Sequence, residues 1–210
     1  MARSSIFRTG PLGAGRLEAF SDGVIAVAIT LLVLDVKLPV GLKDDVAIWA
    51  AVLHIAPVLL SWVVSFAFLL TIWVNHHYFM ASLKGVDRGL LWLNGLFLLF
   101  VTLIPFPTGL VGEYPGLPTP LALLSVVMMA TAACFAVMRF YATFHAGLLR
   151  EHIDAKKARA TLWPSVTSPI LYGCAAGLAF VWPPGAIAIQ VLVLAFFFAY
   201  SPVSLYSSGS

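Results

Sequence analysis

The sequence predicts an all-α membrane protein with six transmembrane helices per subunit, on three observations. The 210 residues are 61% hydrophobic and 10% charged, with a mean hydropathy of +0.98. An average soluble domain carries about 25% charge, because its surface must be wetted. The apolar residues fall in continuous runs rather than alternating, which selects helices over a barrel. The scarce basic residues collect on one set of loops. Such a composition excludes a soluble enzyme, a disordered tail and a nucleic-acid binder. The net charge of +3 sits in short loops, without the single basic stripe that nucleic acid requires.

A helix needs about 20 mostly apolar residues to cross a bilayer. Runs of that kind lie at 17–37, 46–75, 89–108, 119–147, 162–182 and 185–201. The first break, Lys37 to Gly41, holds a Pro and is followed by Asp44 and Asp45. The second runs from His77 to Arg88, and the third, Gly109 to Pro120, holds three prolines and three glycines. The fourth, Arg150 to Arg159, is the most charged stretch; the fifth is the tight turn Trp182-Pro183-Pro184-Gly185. Spans two and four exceed 25 residues, so tilt, projection beyond the bilayer or a kink (Pro57 lies in span two) is expected. Residues 1–206 form one domain, and the low-complexity tail 207–210 is set aside.

Nine of the twelve basic residues are Arg3, Arg8, Arg16, Lys84, Arg88, Arg150, Lys156, Lys157 and Arg159, all on one side of this topology. Only Lys37 and Lys43 lie opposite, and Arg139 is near the inner end of span four. Both termini are therefore expected in the cytoplasm, with the chain multi-pass in the cell membrane. No small-residue cleavage site follows the first apolar run, so it reads as a retained span. Cys134 and Cys174 lie inside apolar runs and read as small buried hydrophobes rather than a disulfide pair.

Polar residues within spans are expensive and point to function. Span one opens on Arg16, Glu18, Phe20, Ser21 and Asp22. Arg16 and Asp22 sit about 120° apart around a helix axis, so each needs partners on other helices. The inner end of span two offers Trp73, Asn75, His76 and His77, and span three offers Asn94. Two readings fit equally: a helix cap at the membrane surface, with Arg16 snorkelling, or a polar network joining three helices. Beyond Asp22 the only hydroxyl before Asp35 is that of Thr30. Helical steps place Phe20, Gly23, Val27, Leu31 and Leu34 on the same stripe as Thr30. A lone Thr on such a stripe commonly bonds back to its own helix. His76 and His77 diverge by about 100°, so they do not share a metal ion, and no ligand spacing completes a site. Gly173 and Gly177 form a GxxxG packing pattern.

The run Arg16-Leu17-Glu18-Ala19-Phe20-Ser21-Asp22-Gly23, continuing through Thr30 to Asp35, resembles the first-helix RxxxFSD signature of the transmembrane protein 175 family of lysosomal and prokaryotic potassium channels. Trp73 with His76-His77, and Leu93-Asn94, extend the match, and the likeness covers essentially the whole chain. The resemblance implies a single-repeat member that assembles as a homotetramer with the first helix lining a central pore. It implies a constriction at Val27, a hydroxyl ring at Thr30 and further apolar rings at Leu31 and Leu34. Arg16, Phe20, Ser21, Asp22, Trp73, His77 and Asn94 take the place of the network that holds the pore helix. The implied partners are the lipid bilayer and permeant K⁺, with no cofactor, no further metal, no nucleic acid and no enzymatic activity. One departure stands out: Val27 replaces the usual Ile or Leu at the constriction.

Three rival functions make different predictions. A proton-permeable channel is the nearest, with His77 close to the motif. A secondary transporter would use Pro57 and Pro169 as helix breaks and would show internal repeats; residues 109–210 hold no second RxxxFSD. A membrane enzyme would need a converging nucleophile and base, which the polar residues do not supply.

Overall fold

The structure is a computed structural model that describes residues 13–144, 148–150, 159 and 162–199. Arg3, Arg8, Lys156, Lys157 and the tail 207–210 lie outside the described residues, as do the last residues expected in spans four and six. The described residues form eight α-helices and no strand. In chain order these are α1 (Gly15–Leu31), α2 (Asp45–His54), α3 (Ala56–Ala81), α4 (Arg88–Leu103), α5 (Pro105–Glu113), α6 (Pro118–Phe144), α7 (Leu162–Leu178) and α8 (Pro183–Ala199). A 3₁₀ turn, Leu32–Asp35, extends α1.

Four stretches are long and apolar enough to cross a bilayer: Gly15–Asp35, Ala56–Ala81, Arg88–Glu113 and Pro118–Phe144. Helices α7 and α8 are apolar but have 17 residues each, about 25 Å of rise against a hydrocarbon core of about 30 Å. Hydrogen-bonded turns carry α7 onward, with Trp182 N–H donating to Leu178 O at 2.7 Å.

The long second run is two helices rather than one. Ile55 leaves helical geometry at φ −86°, ψ 9°, and Pro57 opens α3, where a missing N–H costs nothing. Asp44 caps α2 by accepting from Ala47 N–H at 2.8 Å. At its other end α3 runs six residues past the expected boundary, to Ala81. Polarity at Asn75-His76-His77 suggests a helix end only if those side chains meet water; His76 is fully buried.

The third run also differs from its expected end at residue 108. The chain passes from α4 through Ile104 into α5 and remains helical to Glu113. Gly109 and Gly112 are packing residues there rather than loop residues. A Cβ at Gly109 would lie 2.6 Å from Asp35 Oδ2, and one at Gly112 would lie 3.0 Å from Val58 Cα. The turn glycine of this region is Gly116, at φ +81°. In α7, Gly173 lets α6 approach, since a Cβ there would meet Met129 Sδ at 3.2 Å, whereas Gly177 faces open space.

One core runs through the bundle, with Leu17, Ile25, Ala28 and Leu32 of the first span buried against Leu69, Met80, Leu90, Phe97, Val101 and Ile104. At the end of the bundle where α1 begins, the α3–α4 connection pairs with residues 148–150. Lys84 N–H donates to Leu148 O at 2.8 Å, and Arg150 N–H to Ser82 O at 3.1 Å. Cys134 and Cys174 are free thiols, but neither is buried as expected: Cys134 is half-buried and Cys174 exposed.

Candidate functional site: the first helix and its anchorage

Helix α1 has two faces. Leu17, Ser21, Ile25, Ala28 and Leu32 are buried, at the three- and four-residue steps that place them on one side. Phe20, Gly23, Val27, Thr30, Leu31 and Leu34 lie on the other side and are exposed. Val27 is 57% and Leu34 is 60% exposed. An apolar stripe this open on one helix is a surface that something else covers.

Within that stripe, Thr30 Oγ1 donates to Val27 O at 2.8 Å. This is the back-bond that a lone helical threonine makes. It commits the hydroxyl proton to the backbone and leaves the oxygen lone pairs directed away from the helix, able only to accept or to coordinate.

The buried face is anchored by a chain of donors across three helices. His76 Nε2 on α3 donates to Asn94 Oδ1 on α4 at 2.9 Å, and Asn94 Nδ2 donates to Ser21 Oγ on α1 at 2.9 Å. Ser21 Oγ then donates to Leu17 O at 2.8 Å. His76, Asn94 and Ser21 are all fully buried, where such bonds strengthen one another. The amide oxygen requires the proton on His76 Nε2, which leaves Nδ1 as a bare acceptor without a partner among the described residues. Two aromatic rings hold the imidazole. Phe97 stacks on it with centroids 5.2 Å apart and planes 3° apart, and Phe135 lies at 6.4 Å.

A second, more exposed joint between α1 and α3 lies beside it at a similar depth. Trp73 Nε1 donates to Asp22 Oδ1 at 2.9 Å. His77 Nδ1 lies 3.2 Å from Glu18 Oε1, and its ring stacks on Trp73 with centroids 5.7 Å apart. Glu18, Asp22 and His77 each bring a possible ligand atom to within 4.8 Å of the others. Asp22 Oδ1 is engaged by Trp73, and His77 Nδ1 and Glu18 Oε1 by each other.

The residues expected in this network thus divide. Ser21, Asp22, Trp73, His77 and Asn94 are brought together. Arg16 and Phe20 are not: both are exposed, Phe20 to 61%, and Arg16 makes no hydrogen bond or ion pair among the described residues. His76 and Glu18 complete the joints. Their signal in the sequence was adjacency to the motif and helical spacing: Glu18 stands four residues before Asp22, on the same face. Asp35 lies beside Gly109 at the far end of the span. Asp87 caps α4 by accepting from Leu90 N–H at 2.8 Å and also accepts from the Tyr141 hydroxyl at 2.7 Å.

Residues 16–105, the anchored helix and both of its supports, match the family model described as the endosomal/lysosomal potassium channel TMEM175. A potassium channel of Streptomyces collinus is 37% identical over 194 residues, covering 90% of this chain and 93% of that protein. The chain belongs to the TMEM175 family. The crystal structure of a lysosomal potassium-selective channel TMEM175 homolog from Chamaesiphon minutus superimposes with a TM-score of 0.76. It is 30% identical and covers 93% of this chain and 98% of that one. The human endosomal/lysosomal proton channel TMEM175 is 36% identical over 102 residues, which is 45% of this chain and 20% of that protein. The family model and the Streptomyces collinus relative describe ion channels, which are not enzymes.

Proposed function

We propose that this chain is a potassium-selective, leak-type cation channel of the cell membrane. Four copies assemble around a central pore lined by α1, each copy crosses the bilayer six times, and both termini lie in the cytoplasm. One observation carries this reading. The four residues at pore positions, Val27, Thr30, Leu31 and Leu34, all lie on the face of α1 that a single subunit leaves uncovered. The motif residues Ser21 and Asp22 point the other way, into α3 and α4.

In the tetramer, Val27 forms the narrowest ring, with Leu31 and Leu34 as further apolar rings toward the outer end. An aliphatic ring offers a cation no ligand and holds water poorly, so it acts as a barrier by dewetting. K⁺ sheds hydration water at less cost than the smaller Na⁺, so the barrier favours K⁺. Four Thr30 oxygens, their protons held by Val27 O, replace part of the lost hydration shell one turn away. Asp22 and Asp35, near the two ends of the span, raise the local cation concentration.

Electrical recording from the protein reconstituted in a planar bilayer under a K⁺/Na⁺ gradient tests the proposal. Discrete single-channel steps with a reversal potential near that of K⁺ are expected; a saturable flux without steps would overturn it in favour of a carrier. The human relative bears the name of a proton channel, and that supports a second reading, proton permeation along the same α1 pore. A pH gradient imposed at symmetric K⁺ separates the two, because only a proton-permeable pore shifts its reversal potential.

A further inference from the structure

A cavity of about 70 Å³ lies inside the subunit, away from the exposed face of α1, between α3, α6, α7 and α8. One water needs about 10–15 Å³ of such space, so there is room for several. Phe68, Ile72, Met128, Val193 and Leu194 supply apolar wall, and polar groups of α3, α6 and α7 interrupt it.

Most of these groups can only accept. Thr71 Oγ1 donates to Ala67 O at 2.8 Å and Thr131 Oγ1 to Val127 O at 2.9 Å, which commits both protons and leaves lone pairs on both oxygens. Asn75 Nδ2 donates to Thr71 O at 2.8 Å and leaves Oδ1 as an acceptor. Ser168 Oγ, 3.4 Å from Ser165 O, adds further lone pairs.

Tyr172 supplies a donor. It lines the cavity, is buried, and makes no hydrogen bond among the described residues. A buried phenol without an acceptor is costly, and tyrosines so placed normally bond something. The complementary occupant accepts from one phenol and donates to several oxygens. Water, with two protons and two lone pairs, does both, and finds here the two to four polar partners it needs. A cation is a poor fit. No carboxylate lines the cavity among the described residues, and Arg139 Nη1 donates to the bordering Ser165 Oγ at 3.0 Å.

We propose that this cavity is a structural water site within each subunit, holding a small hydrogen-bonded cluster. One water accepts from the Tyr172 hydroxyl, and the cluster donates to Thr71 Oγ1, Asn75 Oδ1, Thr131 Oγ1 and Ser168 Oγ. Water thereby ties α7 to α3 and α6 from inside the bundle, at groups that no direct bond satisfies. The site is separate from the α1 pore and does not depend on which ion that pore passes.

The test is X-ray radiolytic footprinting of the full chain in phospholipid vesicles, read by mass spectrometry, because radicals formed from a bound water oxidise the side chains beside it. The protein carries its own controls. Met128, Met80 and Met138 share one chemistry and are 3%, 1% and 0% exposed, and of the three only Met128 lines the cavity. Met128 is expected to oxidise several-fold faster than the other two; equal rates would overturn the site. Ala132 also borders the cavity, so Ala132→Leu places a larger side chain in it and should slow Met128 to the rate of Met80 and Met138. A folded Ala132→Leu in which Met128 stays fast would overturn the site as well, since the radicals would then come from elsewhere. Should Ala132→Leu fail to fold, water-edited solid-state NMR on the wild-type protein decides. The Met128 methyl should then draw magnetisation from water several-fold faster than those of Met80 and Met138, and equal build-up would leave the cavity dry.

Discussion

The two faces of α1 are built from the same kinds of residue to opposite ends. Each carries a single hydroxyl among apolar side chains: Ser21 on the buried face, Thr30 on the open one. Both hydroxyls donate to a carbonyl of their own helix at 2.8 Å. The difference is what approaches the oxygen from the other side. Ser21 receives the Asn94 amide and so becomes the last link of a chain from α3 through α4. Thr30 receives no donor from the described residues of its own subunit and is exposed. A back-bonded hydroxyl is therefore neutral evidence. Its role is set by whether a donor from the same subunit or the lumen of an assembled pore faces its lone pairs.

Breaking the buried face should have the largest effect. Asn94→Leu is nearly isosteric and leaves both His76 Nε2 and Ser21 Oγ without their partner in a site with no water access. A cost of about 1–3 kcal/mol is expected, read as a drop of several degrees in the melting temperature of the purified protein. Potassium current should fall with it, because α1 loses its tie to α4. A wild-type melting curve would show that this chain of donors holds nothing.

How far the sequence foretold each face follows from the period of the helix. The open stripe was legible, because Val27, Thr30, Leu31 and Leu34 follow three- and four-residue steps along one side. The division between cap and network at Ser21 and Asp22 was not legible, since both readings need the same residues; only the positions of Trp73 and Asn94 decide it. Helix ends failed where polar or small residues serve packing. Asn75 to His77 looked like a terminus but continue α3, and Gly109 and Gly112 looked like a loop but admit Asp35 and Val58. The family motif also carried Arg16 and Phe20 into the network, and neither joins it within the subunit.

On the open face, the effects should spare stability and change conduction. Val27→Ile adds one methylene per subunit at a position 57% exposed in the monomer, so melting should move by no more than about 0.5 kcal/mol. A narrower, more apolar ring raises the dewetting barrier. Unitary K⁺ conductance should drop several-fold, and indistinguishable conductance would remove Val27 from the constriction. Thr30→Val, tested by bi-ionic reversal potentials, should lower the preference for K⁺ over Na⁺ a few-fold without loss of protein. Unchanged selectivity would make Thr30 a packing residue and restore its symmetry with Ser21.

The smallest effect should come from the more exposed joint, where α1 meets α3 in reach of water. His77 is 46% exposed on its side chain and Glu18 29%, and an exposed ion pair is worth about 0–1 kcal/mol. Glu18→Gln should therefore leave melting within about 0.5 kcal/mol of wild type and leave K⁺ selectivity unchanged. Trp73→Phe is the sharper probe of the same joint, because it keeps the stacked ring against His77 and removes the indole donor from Asp22. It should cost more than Glu18→Gln and less than Asn94→Leu, since Asp22 is only partly buried and water can replace the lost bond. If Trp73→Phe instead matched Asn94→Leu in melting temperature, the carboxylate of Asp22 would be as dependent on its protein partner as Asn94. The anchorage of α1 would then be shared between the two joints rather than concentrated in the buried one.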